Sequence, residues 1–360
     1  MPRIRQVDLA LDTRELQSIQ AAIEARWLTE GPFTARLTEA IKAATESRHV
    51  TFAPNGTLGL FLALLALDLP PGGEILIPSF TFYGSATAAV FAGLVPRFVD
   101  CHPETYNIDV ADAARHVTSR TVAIMPVHIY GQTCDLDGVS ELARAHGLKI
   151  VEDAAQAFGA TFSGQPAGTF GDIGVISFFS DKIVTMGEGA ALLTQDARLF
   201  ERLRLMRNQG RPHAGTFVHP ELGMNFRITD VQAAIGCVQL EKFDDILARR
   251  LHLCDLYAER LAGVGDLRPM TIDQRSNFVP FRYPVTSTRR DRIEQALNAA
   301  EVDTRGFFYP MHLQPQLREF ATGPLPVSEK LHDTGLCLPV HAHIGENDVA
   351  RICDTITSCF

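Results

Sequence analysis

The chain has 360 residues, of which 46% are hydrophobic and 21% charged, a composition typical of a globular protein long enough for two packed units. Its formal net charge of −9 excludes a general affinity for nucleic-acid phosphates, and it has no apolar run long enough for a membrane helix. Seven scattered cysteines without a CxxC pair, and an N-terminus without an apolar signal core, predict a reduced, cytoplasmic location.

From about residue 50 to residue 191, short β-branched runs alternate with helix-like stretches. The predicted strands are, in chain order, EILIP, PRFVD, TVAIMPVH and KIVED, followed by strands within AGTFGDIGVISFF and ALLTQ. The predicted helices include GTLGLFLALLALDL and DLDGVSELARAHG, the second ending at Gly147. This alternation predicts an α/β fold with a mostly parallel sheet between helices, whose ligands gather at the carboxyl ends of the strands.

The pattern changes after Asn225. The segment ITDVQAAIGCVQLEKFDDILARRLHLCDLYAERLAG predicts one long helix that bridges two units. The remainder contains FVPFRYPV and RRDRIEQALNAAEV, which predict strands and a helix of a smaller α+β unit. We therefore expect a large domain over residues 1–250 and a small C-terminal domain over residues 251–360.

The stretch SFFSDKIVTMGEGA places Lys182 at the end of an apolar run and just before a glycine-flanked turn. A lysine at a strand end usually extends its ammonium group into solvent. Here the preceding ISFFS is too apolar for a solvent-exposed edge, so we expect a desolvated amine. Desolvation disfavours the charged form, and this produces a nucleophilic amine that can form a Schiff base.

Pyridoxal phosphate is a common aldehyde partner of such a lysine, and it needs a carboxylate at its pyridine nitrogen. KIVED ends in Asp153 at the carboxyl end of a predicted strand, and Glu152 is the competing carboxylate. Because side chains alternate along a strand, only one of the two can face the ring. A helix N-cap is the alternative role of Asp153.

The phosphate and the ring of such a cofactor have further requirements. Gly56 and Thr57 begin a long apolar helix, whose free amides and dipole favour an anion, although Asn-Gly-Thr also reads as a plain turn and cap. Ser177 lies five residues before the lysine and could add a hydroxyl. The string PSFTFYGSA offers aromatic residues to cover the ring, with core packing as the alternative.

Several longer strings follow one another in a specific order: SFTFYGSA, FVDCHPETYNID, PVHIYGQTCDLD, VEDAAQAFGA, GTFGDIGVISFFSDK, MGEGA, MRNQG, GMNFRITDVQAAIGCVQL and FFYPMHLQP. With them the chain resembles the DegT/DnrJ/StrS-type sugar-nucleotide aminotransferases, which have fold type I and depend on pyridoxal phosphate. The resemblance runs from WLTEGP to CLPVH. It implies a cytoplasmic homodimer with shared active sites, in which the cofactor cycles between pyridoxal and pyridoxamine phosphate.

The resemblance also implies roles for individual residues. Lys182 would bind the cofactor aldehyde and shuttle a proton, and Asp153 would hold the protonated pyridine nitrogen. Gln156 would lie near the ring, and Phe82 would stack on it. The expected phosphate ligands are Gly56, Thr57, Ser177 and, from the second chain, Asn225. Tyr309 and His312, in FFYPMHLQP, match a loop that lines the sugar pocket.

Two positions depart from the usual family pattern. Ala190 stands where a second glycine is common, which should leave the site intact, and Asp181 directly precedes the lysine. Strand alternation predicts that Asp181 points away from the amine. His341 and His343 form an HxH pair, but no further ligands lie near them in sequence, so no metal site is expected.

The predicted reaction moves an amino group from an amino acid, with glutamate expected, to a nucleotide-linked keto-deoxy sugar. FFYPMH and GMNFRITD most resemble enzymes that aminate C4, as GDP-perosamine synthase does. One alternative is an aminotransferase for a keto cyclitol or another ring ketone. Another is a non-catalytic sugar-nucleotide-binding regulator, although such a protein has little need for both Lys182 and Asp153. A nicotinamide dehydrogenase is disfavoured because GxGxxG does not follow the first strand.

Overall fold

The computed structural model of the protein describes residues 2–213 and 215–360, and it contains a large mixed sheet and a smaller antiparallel sheet. The strands are β1 (His49–Ala53), β2 (Glu74–Pro78), β3 (Val95–Val99), β4 (Thr121–Ile124), β5 (Lys149–Asp153), β6 (Thr161–Phe162), β7 (Gln165–Pro166), β8 (Ile173–Ser177), β9 (Ala190–Thr194), β10 (Arg268–Pro269), β11 (Tyr283–Thr286), β12 (Arg305–Gly306) and β13 (Gly335–Leu338). The helices are α1 (Thr13–Glu24), α2 (Pro32–Thr45), α3 (Gly56–Ala66), α4 (Tyr83–Phe91), α5 (Val110–Arg115), α6 (Leu136–His146), α7 (Ala197–Arg207), α8 (Asp230–Glu241), α9 (Phe243–Leu261), α10 (Arg290–Ala299), α11 (Pro326–Thr334) and α12 (Glu346–Thr357).

The large sheet has the strand order β1-β9-β8-β5-β4-β2-β3. β9 runs antiparallel to both of its neighbours, and the other pairs are parallel. Both faces are buried: Ile75 and Ile77 of β2 pack in the core around α3, whereas Leu76 packs in the core around α6. This two-sided burial explains why EILIP is apolar throughout rather than alternating. The predicted α/β fold with helices on both faces is confirmed.

Several element boundaries agree with the sequence. EILIP and KIVED form β2 and β5 over the predicted residues, and α6 ends at His146 with Gly147 in the left-handed conformation (φ 65°). Glycine takes this conformation without the steric cost that a Cβ brings, which is why it ends helices. TVAIMPVH and FVPFRYPV are strands over only four residues each, Thr121–Ile124 and Tyr283–Thr286.

The single long helix predicted after Asn225 is wrong, because the structure has two helices, α8 and α9, which meet at Lys242. The Lys242 ammonium nitrogen lies 2.6 Å from a carboxylate oxygen of Glu15 and 2.9 Å from one of Asp12, at the start of α1. The break therefore coincides with a tertiary ion pair. The expected bridging does occur: Ile246 of α9 packs in the core of the large sheet, and Leu253 packs in the core of the smaller one.

The smaller sheet has the order β10-β11-β13-β12 and is antiparallel throughout. Its core also takes up the N-terminal segment, since Ile4 forms a bridge with Val302 and packs among the same residues. The N-terminus therefore contacts the C-terminal part of the chain. No helix in residues 2–213 and 215–360 is long and apolar enough to span a membrane.

Candidate active site

A cleft of about 940 Å³ opens at the carboxyl ends of the parallel strands of the large sheet. This is the edge at which open α/β sheets bind their ligands. The cleft is lined by seven of the eight residues that the sequence predicted for the cofactor: Gly56, Thr57, Phe82, Asp153, Gln156, Ser177 and Lys182. The structure therefore brings together the last residues of β5 and β8 and the segments that follow β1, β2, β5 and β8.

One end of the cleft is the N-terminus of α3. The Asn55 side chain caps this helix by accepting a hydrogen bond from the Leu58 amide at 3.0 Å. The amides of Gly56 and Thr57, in the first turn, have no acceptor within the helix and remain available for an anion. A Cβ on Gly56 would lie 3.3 Å from the Ser177 hydroxyl oxygen, so glycine lets this hydroxyl approach the helix start. The arrangement is a small anion cradle.

Asp153 ends β5 and is buried on the cleft side of the sheet. Its carboxylate accepts hydrogen bonds from the Ser85 hydroxyl at 2.6 Å and from the Ala155 amide at 3.1 Å. Burial raises the pKa of Asp153, and these two hydrogen bonds oppose the rise because they favour the charged form. A positive charge placed opposite this carboxylate would be strongly attracted to it.

Glu152, the competing carboxylate, faces the opposite side of the sheet. It lies 2.9 Å from His128 Nε2 and accepts hydrogen bonds from the amides of Gly168, Phe170 and Gly171. The backbone alternation expected for a strand therefore separates the two acids. Asp153 is the one that lines the cleft.

Lys182 lies in the turn that follows β8 rather than at the end of the strand itself. Its side chain is only 15% exposed, and its Nζ lies 4.1 Å from the centroid of the Phe281 ring. Burial lowers the pKa of Lys182, whereas the carboxylates of Asp181 and Asp153 raise it. The predicted desolvation of this amine is thus present in the structure, and it increases the neutral, nucleophilic fraction.

The orientation predicted for Asp181 is wrong. Its carboxylate lines the cleft, with Oδ1 3.6 Å from Lys182 Nζ and Oδ2 2.6 Å from Arg282. β8 ends at Ser177, and the chain then turns, so side-chain alternation no longer applies to these residues. Two neighbours in the sequence can therefore face the same space.

Phe82 and Gln156 lie on the rim and on the wall of the cleft. The Phe82 side chain is 59% exposed, and its ring centroid lies 6.4 Å from that of Phe308. The Gln156 side-chain oxygen accepts a hydrogen bond from the Tyr130 amide at 2.8 Å, which fixes the orientation of the amide group. Both side chains are placed where a planar ligand would contact them.

The two predicted sugar-pocket residues do not line the cleft within this chain. His312 is 2% exposed, and its ring is held between the Ser79 hydroxyl at 2.7 Å and the Glu329 carboxylate at 3.1 Å. Both ring nitrogens therefore have protein partners within this chain, and the role of His312 in sugar binding stays a prediction. Tyr309 is 39% exposed and packs edge-on against His332, at 5.0 Å between ring centroids.

Asn225 is exposed and lies outside the cleft of its own chain, at an isolated bridge with Asn208. The predicted HxH pair, His341 and His343, uses its Nε2 atoms to contact the carbonyl oxygens of Arg5 and Leu9. They thus hold the N-terminal segment. No cluster of three or more histidine, cysteine or acidic side chains suited to a metal occurs in residues 2–213 and 215–360.

The cleft-lining side chains that the sequence did not single out include Ser85, Phe281, Arg282 and Arg305. Ser85 lies within SFTFYGSA, in which the aromatic residues are the more distinctive signal. Arg282 interrupts the apolar run FVPFRYPV. A lone cation in an apolar run is the signal that could have indicated Arg282 as a site residue.

The residues of the cleft fit pyridoxal phosphate. An anion cradle, a buried carboxylate and a desolvated amine are the three groups that its phosphate, ring nitrogen and aldehyde require. The glycine at position 56 leaves the space that the phosphate end needs. Together with the seven-stranded sheet and its single antiparallel strand, this site defines a transferase of fold type I that depends on pyridoxal phosphate.

The comparisons with known proteins agree with this class. The sequence matches the DegT/DnrJ/EryC1/StrS aminotransferase family over residues 10–357, and the chain belongs to this family. It is 37% identical over 359 residues to GDP-perosamine synthase of Caulobacter vibrioides. This alignment covers 98% of this chain and 97% of that protein. It is 36% identical over 311 residues to UDP-N-acetyl-3-dehydro-alpha-D-glucosamine 3-aminotransferase of Acidithiobacillus ferrooxidans, covering 86% of this chain and 83% of that protein.

A solved structure shows the same fold. The crystal structure of DesV from S. venezuelae superimposes with a TM-score of 0.95 at 31% sequence identity, covering 99% of this chain and 98% of that one. The chain is therefore an enzyme, an aminotransferase that uses pyridoxal phosphate.

Proposed function

We propose that the protein transfers an amino group from an amino acid, with glutamate the expected donor, to a nucleotide-linked keto-deoxy sugar. The observation that carries this proposal is the joint placement of Lys182, Asp153 and the α3 anion cradle in one cleft. The similarity to GDP-perosamine synthase over nearly the whole chain supports a sugar acceptor and favours amination at C4. The relative named as a 3-aminotransferase supports the same substrate class with a different position.

Each group of the site has a distinct task in this reaction. Pyridoxal phosphate supplies an electron sink for the carbanion that forms when a substrate loses a proton. Asp153, held by Ser85 and by the Ala155 amide, would keep the ring nitrogen protonated. Lys182 would take the proton from one atom and return it to another, and the desolvation of its amine favours the neutral form that can accept a proton. Gly56, Thr57 and Ser177 would hold the phosphate.

We also propose that the active enzyme is a homodimer with shared sites. The segment before Asn225 exposes large apolar side chains: Phe217 is 88% exposed, Val218 76% and Leu222 90%. Exposed apolar clusters of this kind mark protein contacts. A second copy of the chain would cover them and would bring Asn225 to the phosphate end of the neighbouring cleft. All seven cysteines are free thiols, which supports the reduced environment of the cytoplasm.

Substitution of Lys182 and Asp153 tests the proposed function. Lys182→Ala should abolish transamination from labelled glutamate to keto sugars, and Asp153→Asn should bind the cofactor but transaminate at least about 100-fold more slowly, the range expected for a lost acid–base group. Thr87→Ala, which removes an exposed hydroxyl on α4, is the matched control and should retain activity. Turnover by Lys182→Ala would contradict the assignment of the amine.

A panel of acceptors tests the substrate. The assay compares GDP-linked, UDP-linked and dTDP-linked 4-keto sugars, 3-keto sugars and keto inositols, with labelled glutamate as the donor. We expect the GDP-linked 4-keto-6-deoxy sugar to give the highest kcat/KM. A preference for a keto inositol would favour the cyclitol alternative. A protein that binds sugar nucleotide and never exchanges label would favour a regulatory role.

A further inference from the structure

The immediate neighbour of the active-site lysine carries a charge that faces it. Asp181 Oδ1 lies 3.6 Å from Lys182 Nζ and has no hydrogen-bond partner among the described residues. The Asp181 side chain is 12% exposed, so its charge is only weakly screened by water. An unpartnered carboxylate oxygen this close to an amine stabilises the protonated form of that amine.

The other oxygen of Asp181 is held by two arginines from the smaller sheet and the segment before it. Oδ2 lies 2.6 Å from Arg282 Nη2 and 3.5 Å from Arg305 Nη1. The Arg282 side chain is 4% exposed, and its guanidinium lies 4.4 Å from the Phe281 ring, the same ring that Lys182 Nζ contacts at 4.1 Å. Arg305 is 56% exposed and forms the weaker contact. Arg282 therefore fixes the carboxylate and also partly offsets its charge.

We propose that Asp181, restrained by Arg282, is a positioning residue that sets the pH at which the free amine of Lys182 gives up its proton. This inference rests on the proposed function, in which Lys182 must be neutral to accept a proton from the substrate. The two members of the pair have opposite effects on the protonation of the Lys182 amine. The carboxylate holds a proton on the amine, and the guanidinium limits how strongly it does so.

Other charged groups also surround the amine. Asp153 also favours the charged amine, and Glu188 lines the same cleft. Arg250 lines a small void behind Asp181 and Lys182, and its guanidinium donates to the Pro280 carbonyl. Asp181 is the acidic group that forms an ion pair with Lys182 among the described residues, so its removal should have the largest effect.

A purely mechanical role is the competing explanation. In that case, the Asp181–Arg282 pair would only tie the turn after β8 to the segment before β11. Removal of either partner would then lower stability and activity at every pH alike. An electrostatic role predicts opposite shifts for the two partners, and a mechanical role cannot produce these.

The experiment measures the amine directly in the cofactor-free protein. Acetic anhydride labels neutral amines, and mass spectrometry then reports the extent of labelling of each lysine as a function of pH. The chain has the exposed Lys149 and Lys330 as internal references. Asp181→Asn should lower the labelling midpoint of Lys182 by about one to two pH units, the shift typical of a charge partner at this distance. Arg282→Gln should raise it, and Arg305→Gln should raise it less.

Asp181→Glu, which keeps the charge, should restore most of the wild-type midpoint. The single-turnover reaction of the cofactor-loaded enzyme with glutamate should show the same order, with its acidic limb at lower pH for Asp181→Asn and at higher pH for Arg282→Gln. Thermal unfolding shows which variants fold. Midpoints for Asp181→Asn and Arg282→Gln that move in the same direction, or that stay within about 0.3 units of wild type, would overturn the proposal. Shifted midpoints without transamination would instead refute the proposed function and leave this inference standing.

Discussion

The hydrogen bond between Ser85 and Asp153 offers a quantitative test of how the site keeps its carboxylate charged. The Ser85 hydroxyl donates to Asp153 Oδ2 at 2.6 Å, and both side chains are buried. A hydrogen bond to a charged group contributes about 1.5–3 kcal/mol, and one pKa unit corresponds to about 1.4 kcal/mol. Ser85→Ala should therefore raise the pKa of Asp153 by about one to two units, reduced somewhat by the Ala155 amide, which remains.

The expected consequence is weaker cofactor binding at pH values near the pKa of Asp153, where a smaller fraction of the carboxyl is charged in the variant than in the wild type. The sign of the pH dependence follows from the direction of the shift. Because Ser85→Ala raises the pKa of Asp153, its charged fraction declines at a higher pH than in the wild type. The binding defect should thus grow as the pH falls and shrink as the pH rises. Titration of the cofactor-free protein, followed by the quenching of protein fluorescence across the neutral range, measures this.

Two control variants accompany the cofactor titration of Ser85→Ala. Thr87→Ala removes a hydroxyl from the same helix, where it contacts only backbone carbonyls in the first turn, so its affinity should match that of the wild type. Thr81→Val removes the hydroxyl that lies 2.9 Å from Ser85 Oγ and should have a small effect. If Ser85→Ala and Thr87→Ala bind the cofactor equally at every pH, this hydrogen bond does not control the charge of Asp153.

Three further predictions concern assembly and stability. Leu222→Asp should yield monomers with weaker cofactor binding, since residue 222 is 90% exposed next to Asn225; a dimeric mass of the variant in sedimentation would contradict the proposed contact through this segment. Glu152→Gln should lower the free energy of unfolding in urea by roughly 3 kcal/mol, because the buried carboxylate accepts from His128 and three amides, and an unchanged midpoint would refute this. Hydrogen bonds from Ser287 and Thr288 lower the pKa of Asp266 to about 2, so its stabilising effect is present above about pH 4 and is lost as the pH falls towards 2. Asp266→Asn should lower the melting temperature at neutral pH but not near pH 2, and a constant difference in melting temperature would contradict this.

The sequence predicted the parts of the site that lie along consecutive strands. Asp153 and Lys182 could be found because each follows an apolar β-branched run, and because the carboxyl ends of parallel strands meet at one edge. Strand alternation predicted that only one of Asp153 and Glu152 can face the ring, and the resemblance implied Asp153. The observed contacts of Glu152 agree with this assignment.

The features of the structure that the sequence did not predict depend on tertiary contacts. Arg282 and Arg305 lie in the C-terminal part of the chain, each more than 100 residues after Asp181. No local sequence pattern links either arginine to Asp181. The orientation of Asp181 depends on where β8 stops, and boundaries are the least certain part of a sequence-based assignment. The break between α8 and α9 coincides with the contact of Lys242 with α1, which propensity alone cannot show.

Residues 2–10 are held against the C-terminal part of the chain. Carbonyl oxygens of Pro2, Arg5 and Leu9 are held by Arg351, His341 and His343, while Leu9 and Ala10 line a small void together with the turn that carries Lys182. Removal of these N-terminal residues would take away Leu9 and Ala10, which line the small void next to Lys182. A proteolytic nick near residue 10 would then loosen the packing around Lys182, some 170 positions downstream.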